Sequence, residues 1–472
     1  MTTTPFPRLL LDRDGGPPLV EQITAFVERE IGARTLRPGA RMPSIRHFAE
    51  RHGVSRSTVV EAYDRLVALG HLESRRGSGF YVRELPRPVV VAGRPAPPPA
   101  LDVTWLIRSM FRDHPPSRMP GSGMLPSEWH DPGLLAGGLR AVSRHAASLM
   151  HYGSPQGYLP LRQQVQRKLA EIQIAAAPEQ IVTTVGVTQA LSLVARSLLS
   201  PGDTVLVDDP AWFLMFASFA TLGANVVGVP RAPDGPDIEA LAALAAAHRP
   251  KLFVINSVLH NPSSGSLSPA KAFQVLRLAE QFDFIVVEDD VYCDLHPGSA
   301  VQPAMRISAL DQLRRSVYVG GFSKTLAGSV RVGFLACNPD LALRLADEKM
   351  LRTLTTSEVG ERVVHQVLVE GHYRKQMDRL RGKLDAARVR TLRQFERVGV
   401  RVDAPSAGLF LWVDLGRDTN GLAQRGLDAG YLFAPGSLFS PLQLPSTRTR
   451  LNVACMGEPG VFRFLETELE RG

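Results

Sequence analysis

Between Glu84 and Pro99 the chain reads ELPRPVVVAGRPAPPP. Each proline fixes φ and removes a backbone donor, so neither a helix nor a central strand can cross such a stretch. The segment reads as a semi-rigid linker over residues 84–100. It divides the chain into a small N-terminal unit, 1–83, and a large one, 101–472. Whatever each part does, it must build its own core.

At 472 residues the chain has room for two to four compact units. Hydrophobic residues at 44% and charged residues at 21% permit large cores and argue against wholesale disorder. The three cysteines, Cys293, Cys337 and Cys455, are far apart and odd in number. They give no disulfide framework and no zinc spacing, and no metal site is expected. No leader-like N-terminus and no apolar run of membrane-spanning length is seen, so the expectation is a cytoplasmic protein without membrane association. The net charge of +8 and pI near 9.6 are compatible with a polyanionic partner. Residues 1–85 hold thirteen arginines, no lysine and ten acids, a net of only +3. The rest of the excess reads as spread along the chain, so arrangement rather than charge must argue for DNA.

The arrangement is specific. Ile23, Phe26, Val27 and Ile31 recur at helical spacing. Ser44 is placed to cap a short helix through Ile45, Phe48 and Ala49. Gly53 suits the positive φ that ends it. Ser55 caps a third helix, Ser55–Leu69, with an inner stripe of Val59, Ala62, Tyr63, Leu66 and Leu69. Two helices joined by a glycine turn form a helix-turn-helix, whose second helix enters the major groove N-terminus first. Ser55, Arg56, Ser57 and Thr58 fall at that end. Arg75, Arg76 and Gly77 then sit at the tip of a hairpin wing. The plain alternative is a helical accessory domain with a solvated arginine face. However, the run PSIRHFAERHGVSRSTVVEAYDRLVALGHLESRRGSGFYV resembles the winged domain of the GntR regulators throughout. That resemblance implies Arg46, Arg56 and the wing around Arg75–Gly77 as contacts to operator DNA.

Beyond the linker, strand-like runs (Thr204–Val207, Leu252–Ile255, Phe284–Val287, Ser316–Val319) alternate with helical patterns such as Gln189–Leu199 and Pro269–Phe282. The alternation predicts an α/β domain with a mainly parallel sheet. Five motifs carry chemistry. In GGFSKTLAGSVR, Lys324 follows an apolar strand and precedes a small-residue loop ending in Arg331. A lysine that condenses with a carbonyl must sit where its pKa is depressed, and an arginine can return to grip phosphate. In VVEDDVY, Asp289 ends a strand where α/β ligands bind, with Tyr292 beyond it. A Mg²⁺ site or a helix cap would explain the same acids. In NPSSG, Asn261 follows a strand, and as a bare turn it means little. In GVTQAL, Val187 and Thr188 open a helix whose free amides suit phosphate. In DPAW, Trp212 could stack on a ring, or simply pack in the core.

Together, in this order, these motifs resemble the fold-type I, class I/II aminotransferase domain, and the whole chain resembles the MocR subfamily of GntR regulators. The resemblance implies pyridoxal 5′-phosphate (PLP) as cofactor, a mainly parallel sheet and a smaller C-terminal α+β subdomain. It implies Lys324 as the amine that bonds the cofactor aldehyde and Asp289 as the partner of the pyridine nitrogen. Tyr292 and Asn261 would meet the phenolic oxygen, Trp212 would stack, and Val187, Thr188, Ser323 and Arg331 would hold phosphate. Tyr152 matches a tyrosine that reaches the other subunit's phosphate, implying a homodimer. Arg450 matches the arginine that grips a substrate α-carboxylate. Two positions depart from the pattern: Gly321 stands where many relatives carry serine, and the Asn261 loop is one residue longer than Asn-Pro-Thr-Gly.

Three readings follow. The chain is a regulator that senses an amino acid or amine, passing the signal through the linker; or a working aminotransferase with an accessory DNA-binding domain; or a sensor of PLP alone. Arg450 favours the first two.

Overall fold

The computed structural model describes residues 6–7, 9–13, 15–83, 108–109, 114–297, 304–402 and 407–470. The linker assigned to 84–100 lies outside them. The chain divides into two compact units, Met1–Pro97 and Pro98–Gly472.

The first unit packs three helices, α1 (Leu19–Gly32), α2 (Ile45–His52) and α3 (Arg56–Ala68), with the hairpin β1 (Leu72–Arg75) and β2 (Gly79–Val82). The caps lie where the residue types place them. Ser44 accepts from the His47 amide at 3.2 Å, Gly53 ends α2 at φ 62°, and Ser55 accepts from the Thr58 amide at 3.1 Å. Ile23, Phe26, Val27, Phe48, Val59, Ala62, Tyr63 and Leu66 form the core. Leu69, assigned to the inner stripe, is instead 52% exposed, because α3 ends at Ala68 and Leu69 turns the chain toward β1. The N-terminal segment adds a layer the pattern did not reveal. Phe6 packs on Phe26 and Phe48, with ring centroids 6.0 and 5.5 Å away. Arg13 donates to the carbonyls of His52 and Gly53 at the end of α2, satisfying acceptors that no helix bond can use.

The second unit is built on an eight-stranded sheet: β3 (Ile181–Thr184), β4 (Thr204–Asp209), β5 (Asn225–Ala232), β6 (Gly235–Pro236), β7 (Leu252–Ile255), β8 (Ile285–Asp289), β9 (Ser316–Gly321) and β10 (Gly333–Ala336). Its order is β3-β10-β9-β8-β7-β4-β5-β6. The pairs from β9 through β5 are parallel, while β10 runs antiparallel to both its neighbours. Strands covered by helices on both faces carry continuous apolar runs, as in Thr204–Val207 and Ser316–Val319, buried throughout. The carboxyl ends of β3, β4, β7, β8 and β9 therefore lie along one edge of the sheet. A three-stranded antiparallel sheet, β11 (Phe410–Asp414), β12 (Ala434–Pro435) and β13 (Arg448–Asn452), in the order β11-β13-β12, forms the smaller α+β part with the helices Thr419–Asp428 and Pro459–Glu470. No helix among the described residues is long and apolar enough to cross a membrane.

Replacing Phe6 with alanine removes a ring from a packed aromatic cluster. The first unit is expected to lose about 3 kcal/mol, read as a lower denaturant midpoint of its unfolding transition.

Candidate PLP and carboxylate site

The acidic run at the end of β8 shows how alternation sorts identical chemistry. Glu288 and Asp290 are fully buried and consumed by the fold. Glu288 accepts from the amides of Ile307 and Ser308 at 2.8 and 2.9 Å, capping the helix that starts there. Asp290 takes Arg306 at 2.5 Å and the Tyr318 hydroxyl at 2.9 Å. Asp289 points to the other face. It accepts only the Val291 amide, at 3.2 Å, and has no ion-pair partner among the described residues. Burial pushes its pKa up to about 7, the neighbouring Asp290 adds to the rise, and Lys324 opposes it. No group of three or more His, Cys, Asp or Glu placed to hold a metal ion is found among the described residues.

Lys324 lies in the loop after β9. Burial, then the charges of Arg450 and Arg331, lower its pKa to about 8. Its Nζ contacts the Met124 sulfur at 3.1 Å, a weak acceptor that leaves the amine chemically available. Another lysine, the fully buried Lys349, is also held near 8. That amine is spent on the Thr183 carbonyl at 2.8 Å and on the hydroxyls of Thr183 and Thr356. Geometry, not acidity, distinguishes the two.

The phosphate end is a turn without a cap. The helix Gly186–Leu198 begins with no side-chain cap, so the first-turn amides of Gly186, Val187 and Thr188 have no intrahelical partner. Gly186 takes φ 76°, and a Cβ there would lie 2.8 Å from Arg331 Nη2. Arg331 itself bonds the Val185 carbonyl at 2.9 Å and Ser323 Oγ at 3.4 Å. Gly321 lies close by. A Cβ on it would approach Gly333 Cα at 3.3 Å and Val187 Cγ2 and the Val332 carbonyl at 3.4 Å, so the serine of the common pattern would be crowded here.

Arg450, on β13, is 2% exposed and lies between two rings, 4.6 Å from the Phe410 centroid and 4.9 Å from that of Phe439. It donates to Asn261 Oδ1 at 2.9 Å and to the Gly121 carbonyl at 2.6 Å, while its Nε has no partner. No carboxylate pairs with it among the described residues. Burial lowers its pKa to about 10, still far above neutrality. Tyr292 faces the same space: a Cβ on Gly123 would stand 3.7 Å from Arg450 and 3.9 Å from the Tyr292 hydroxyl.

The remaining expected residues are placed as follows. Trp212 is half-buried, capping the helix Phe213–Ala220 beyond β4 on the same sheet edge. Tyr152 is 83% exposed. Farther along, the chain is anchored where Glu361 accepts the Tyr158 amide at 2.7 Å and the Thr183 amide donates to the Gln156 carbonyl at 2.9 Å. In the first unit Arg56 and Arg76 are exposed, whereas Arg46 pairs with Glu50 at 2.9 Å. Arg75 pairs with Glu73 and lies 4.4 Å from the centre of the Tyr81 ring. Ser55 bonds the hydroxyls of Ser57 and Thr58, both at 2.7 Å, and Gly77 turns the wing at φ 74°.

Sequence reasoning missed the connectors. Asn256, the first residue after β7, donates to the Asp289 carbonyl at 2.5 Å and accepts the Asn261 amide at 2.7 Å. The extra loop residue is accommodated by Ser264 at φ 58°, whose Oγ accepts the Phe410 amide at 3.0 Å and so ties the loop to the strand beneath Arg450. Asn452 holds the carbonyls of Ser122 and Met124. Tyr373 joins the two reactive segments, with its hydroxyl 2.5 Å from Asp294 and 2.7 Å from Thr325. A polar residue directly after an apolar strand was the available signal for Asn256. Tyr373, on a distant helix, gave none.

A capless helix turn beside an arginine, a buried carboxylate and a half-buried amine lie at one edge of the large sheet, with the buried guanidinium of Arg450 on the smaller sheet; joined in the same chain to a winged helix-turn-helix, they define a DNA-binding module fused to an aminotransferase-like domain. Residues 136–467 match the family Aminotransferase class I and II, and residues 19–82 match Bacterial regulatory proteins, gntR family. The chain is 31% identical to the probable rhizopine catabolism regulatory protein MocR of Rhizobium meliloti, over 71% of this chain and 68% of that one. It is 28% identical to the uncharacterized HTH-type transcriptional regulator YdcR of Escherichia coli (strain K12), over 92% and 94%. It is similar in structure to Pyrococcus horikoshii kynurenine aminotransferase, solved with PMP (TM-score 0.71, 25% identity, 79% of this chain and 94% of that one). It is likewise similar to the α-aminoadipate aminotransferase LysN of Thermus thermophilus, solved with N-(5′-phosphopyridoxyl)-L-leucine (TM-score 0.70, 26% identity, 78% and 94%). The chain belongs to the class I and II aminotransferase family and carries a gntR-type module ahead of that domain.

Because burial raises Asp289's pKa above that of an unfolded aspartate, ionising it destabilises the cofactor-free fold as pH climbs from about 4 through about 7. Asp289→Asn is therefore expected to raise the melting temperature of PLP-free protein at pH 8, with the gain vanishing toward pH 4. The same variant should bind PLP more weakly in a spectral titration.

Proposed function

We propose that this DNA-binding regulator holds PLP through Lys324 and responds to an amino compound bearing a carboxylate. The observation that carries the reading is Arg450, a buried cation sandwiched between rings with no carboxylate partner among the described residues. Burying a charge is costly unless it is matched, so the site is built for a carboxylate from outside. Asp289 supports PLP in the same way, as a buried carboxylate that forms no ion pair among the described residues. It would keep the pyridine nitrogen protonated. The uncapped turn at Val187 and Thr188, with Ser323 and Arg331, would take the phosphate. Tyr292 and the unengaged amide of Asn261 would meet the phenolic oxygen, and Trp212 would cover the ring. When bound, PLP supplies an electrophilic aldehyde and an electron sink. Lys324, held near neutrality, supplies the amine and can carry a proton afterwards.

The exposure of Tyr152 supports a homodimer in which this tyrosine completes the partner's phosphate site. Two winged units would then read paired half-sites in operator DNA, with Arg56 and its neighbours at the groove and Arg46, Arg75 and Arg76 toward the backbone. The effector shifts DNA binding only as far as it favours one state of the protein over the other. The near-neutral lysine also supports a second reading, that slow transamination accompanies sensing.

The test uses full-length holoprotein and DNA from upstream of its own gene. Lys324→Ala should lose the visible absorbance of bound PLP, and Arg450→Ala should lose the response of DNA binding to amino acids; both should still bind DNA. Arg56→Ala should weaken specific binding by about 1–3 kcal/mol with the absorbance intact. An undiminished amino-acid response in Arg450→Ala would refute the carboxylate reading. Rapid turnover with a keto acid and no DNA binding would favour the enzyme.

A further inference from the structure

The positive charge is not spread evenly along the chain. The helix His372–Arg397 holds nine lysines and arginines against three acids, most of the net excess of the protein. Its inner face is buried through Tyr373, Gln376, Met377, Leu380, Leu384, Ala387, Arg388, Thr391 and Phe395. On the outer face the charges are sorted. Positions 375, 379, 382, 386, 390, 393 and 397 follow one another at 3–4-residue steps and so form a single row along the helix. That row reads Lys, Arg, Gly, Ala, Arg, Arg, Arg and contains no acid, and all seven residues are exposed. The three acids, Asp378, Asp385 and Glu396, each stand one position earlier, on the neighbouring row.

The facing charges do not neutralise it. Asp131, from the adjoining helix cap, takes Arg379 at 3.2 Å, and Asp378 takes Arg381. Lys375, Arg390, Arg393 and Arg397 have no ion-pair partner among the described residues. From Lys375 to Arg397 the row is about 33 Å long, close to one turn of duplex DNA at about 34 Å. Gly382 and Ala386 keep its middle low. A Cβ on Gly382 would meet nothing, so the fold does not require glycine there, although an exposed helix favours alanine over glycine.

We infer that this row is a second nucleic-acid surface, on the large domain, which binds the phosphate backbone of duplex DNA independently of sequence. A straight, acid-free line of guanidinium groups matches the regular charge spacing of a duplex, and the chain already carries a module that brings it to DNA.

The test measures binding of full-length holoprotein to a random-sequence 60-base-pair duplex by fluorescence anisotropy over a KCl series. Arg390→Gln/Arg393→Gln/Arg397→Gln should flatten the plot of log affinity against log salt by about 2–3 and weaken binding at least tenfold at low salt. Gly382→Glu/Ala386→Glu removes no arginine and adds two helix-favouring acids within the row. It should weaken binding in the same direction with circular dichroism unchanged. Arg56→Ala should flatten the slope by no more than about 1. Slopes equal to wild type in both row variants would overturn the inference. So would variants that lose binding to phosphatidylserine vesicles while their DNA slopes stay unchanged, because the surface would then serve a membrane.

Discussion

Asp289, Lys324 and Arg450 are ionisable groups held out of bulk water without an ion-pair partner among the described residues, and the site depends on that imbalance. Several buried charges elsewhere are paired, Asp208 with Arg231, Asp290 with Arg306 and Lys168 with Asp294, and others such as Glu288 and Lys349 are taken up by backbone and hydroxyl groups. The unmatched groups are held by supports that are themselves neutral, namely backbone amides, the Asn256 amide, two aromatic rings and a thioether. A fold that keeps an amine, a carboxylate and a guanidinium in this state is less stable than one that pairs them. Ligands carrying the complementary charges recover the difference as binding energy.

The parallel sheet makes the arrangement possible. Six strands end on one edge, and the segments after five of them, β3, β4, β7, β8 and β9, meet there without long loops. Tyr373 then couples the Lys324 and Tyr292 segments through Thr325 and Asp294, and Asn256 couples the ends of β7 and β8. Lys349 and Glu361 perform the corresponding task behind the phosphate turn, where Thr183 and Thr356 bridge them. This explains how two lysines of similar acidity differ: one is a strut, the other is left free to react.

Much of this was legible in the residues. Apolar runs of strand length, the caps Ser44 and Ser55 and the turn at Gly53 fix local structure by short-range chemistry, and all lie where the pattern puts them. Asp289 ends β8, Lys324 follows β9 and Arg450 lies within β13, and it was the family resemblance rather than local spacing that singled these charges out. Long-range support was not legible. Nothing near Tyr373, Asn452 or Met124 in sequence indicates what they touch, because tertiary packing decides it. The sorting of charges on the helix His372–Arg397 escaped a count of totals for a related reason: a row appears only when residues are placed at helical spacing.

The decisive measurement is borohydride reduction of the PLP-loaded protein, followed by peptide mass mapping. A phosphopyridoxyl group is expected on the peptide containing Lys324 and none on the one containing Lys349. Label on Lys349, or protein that reduces without label at either lysine, would contradict the reading of Lys324 as the reactive amine.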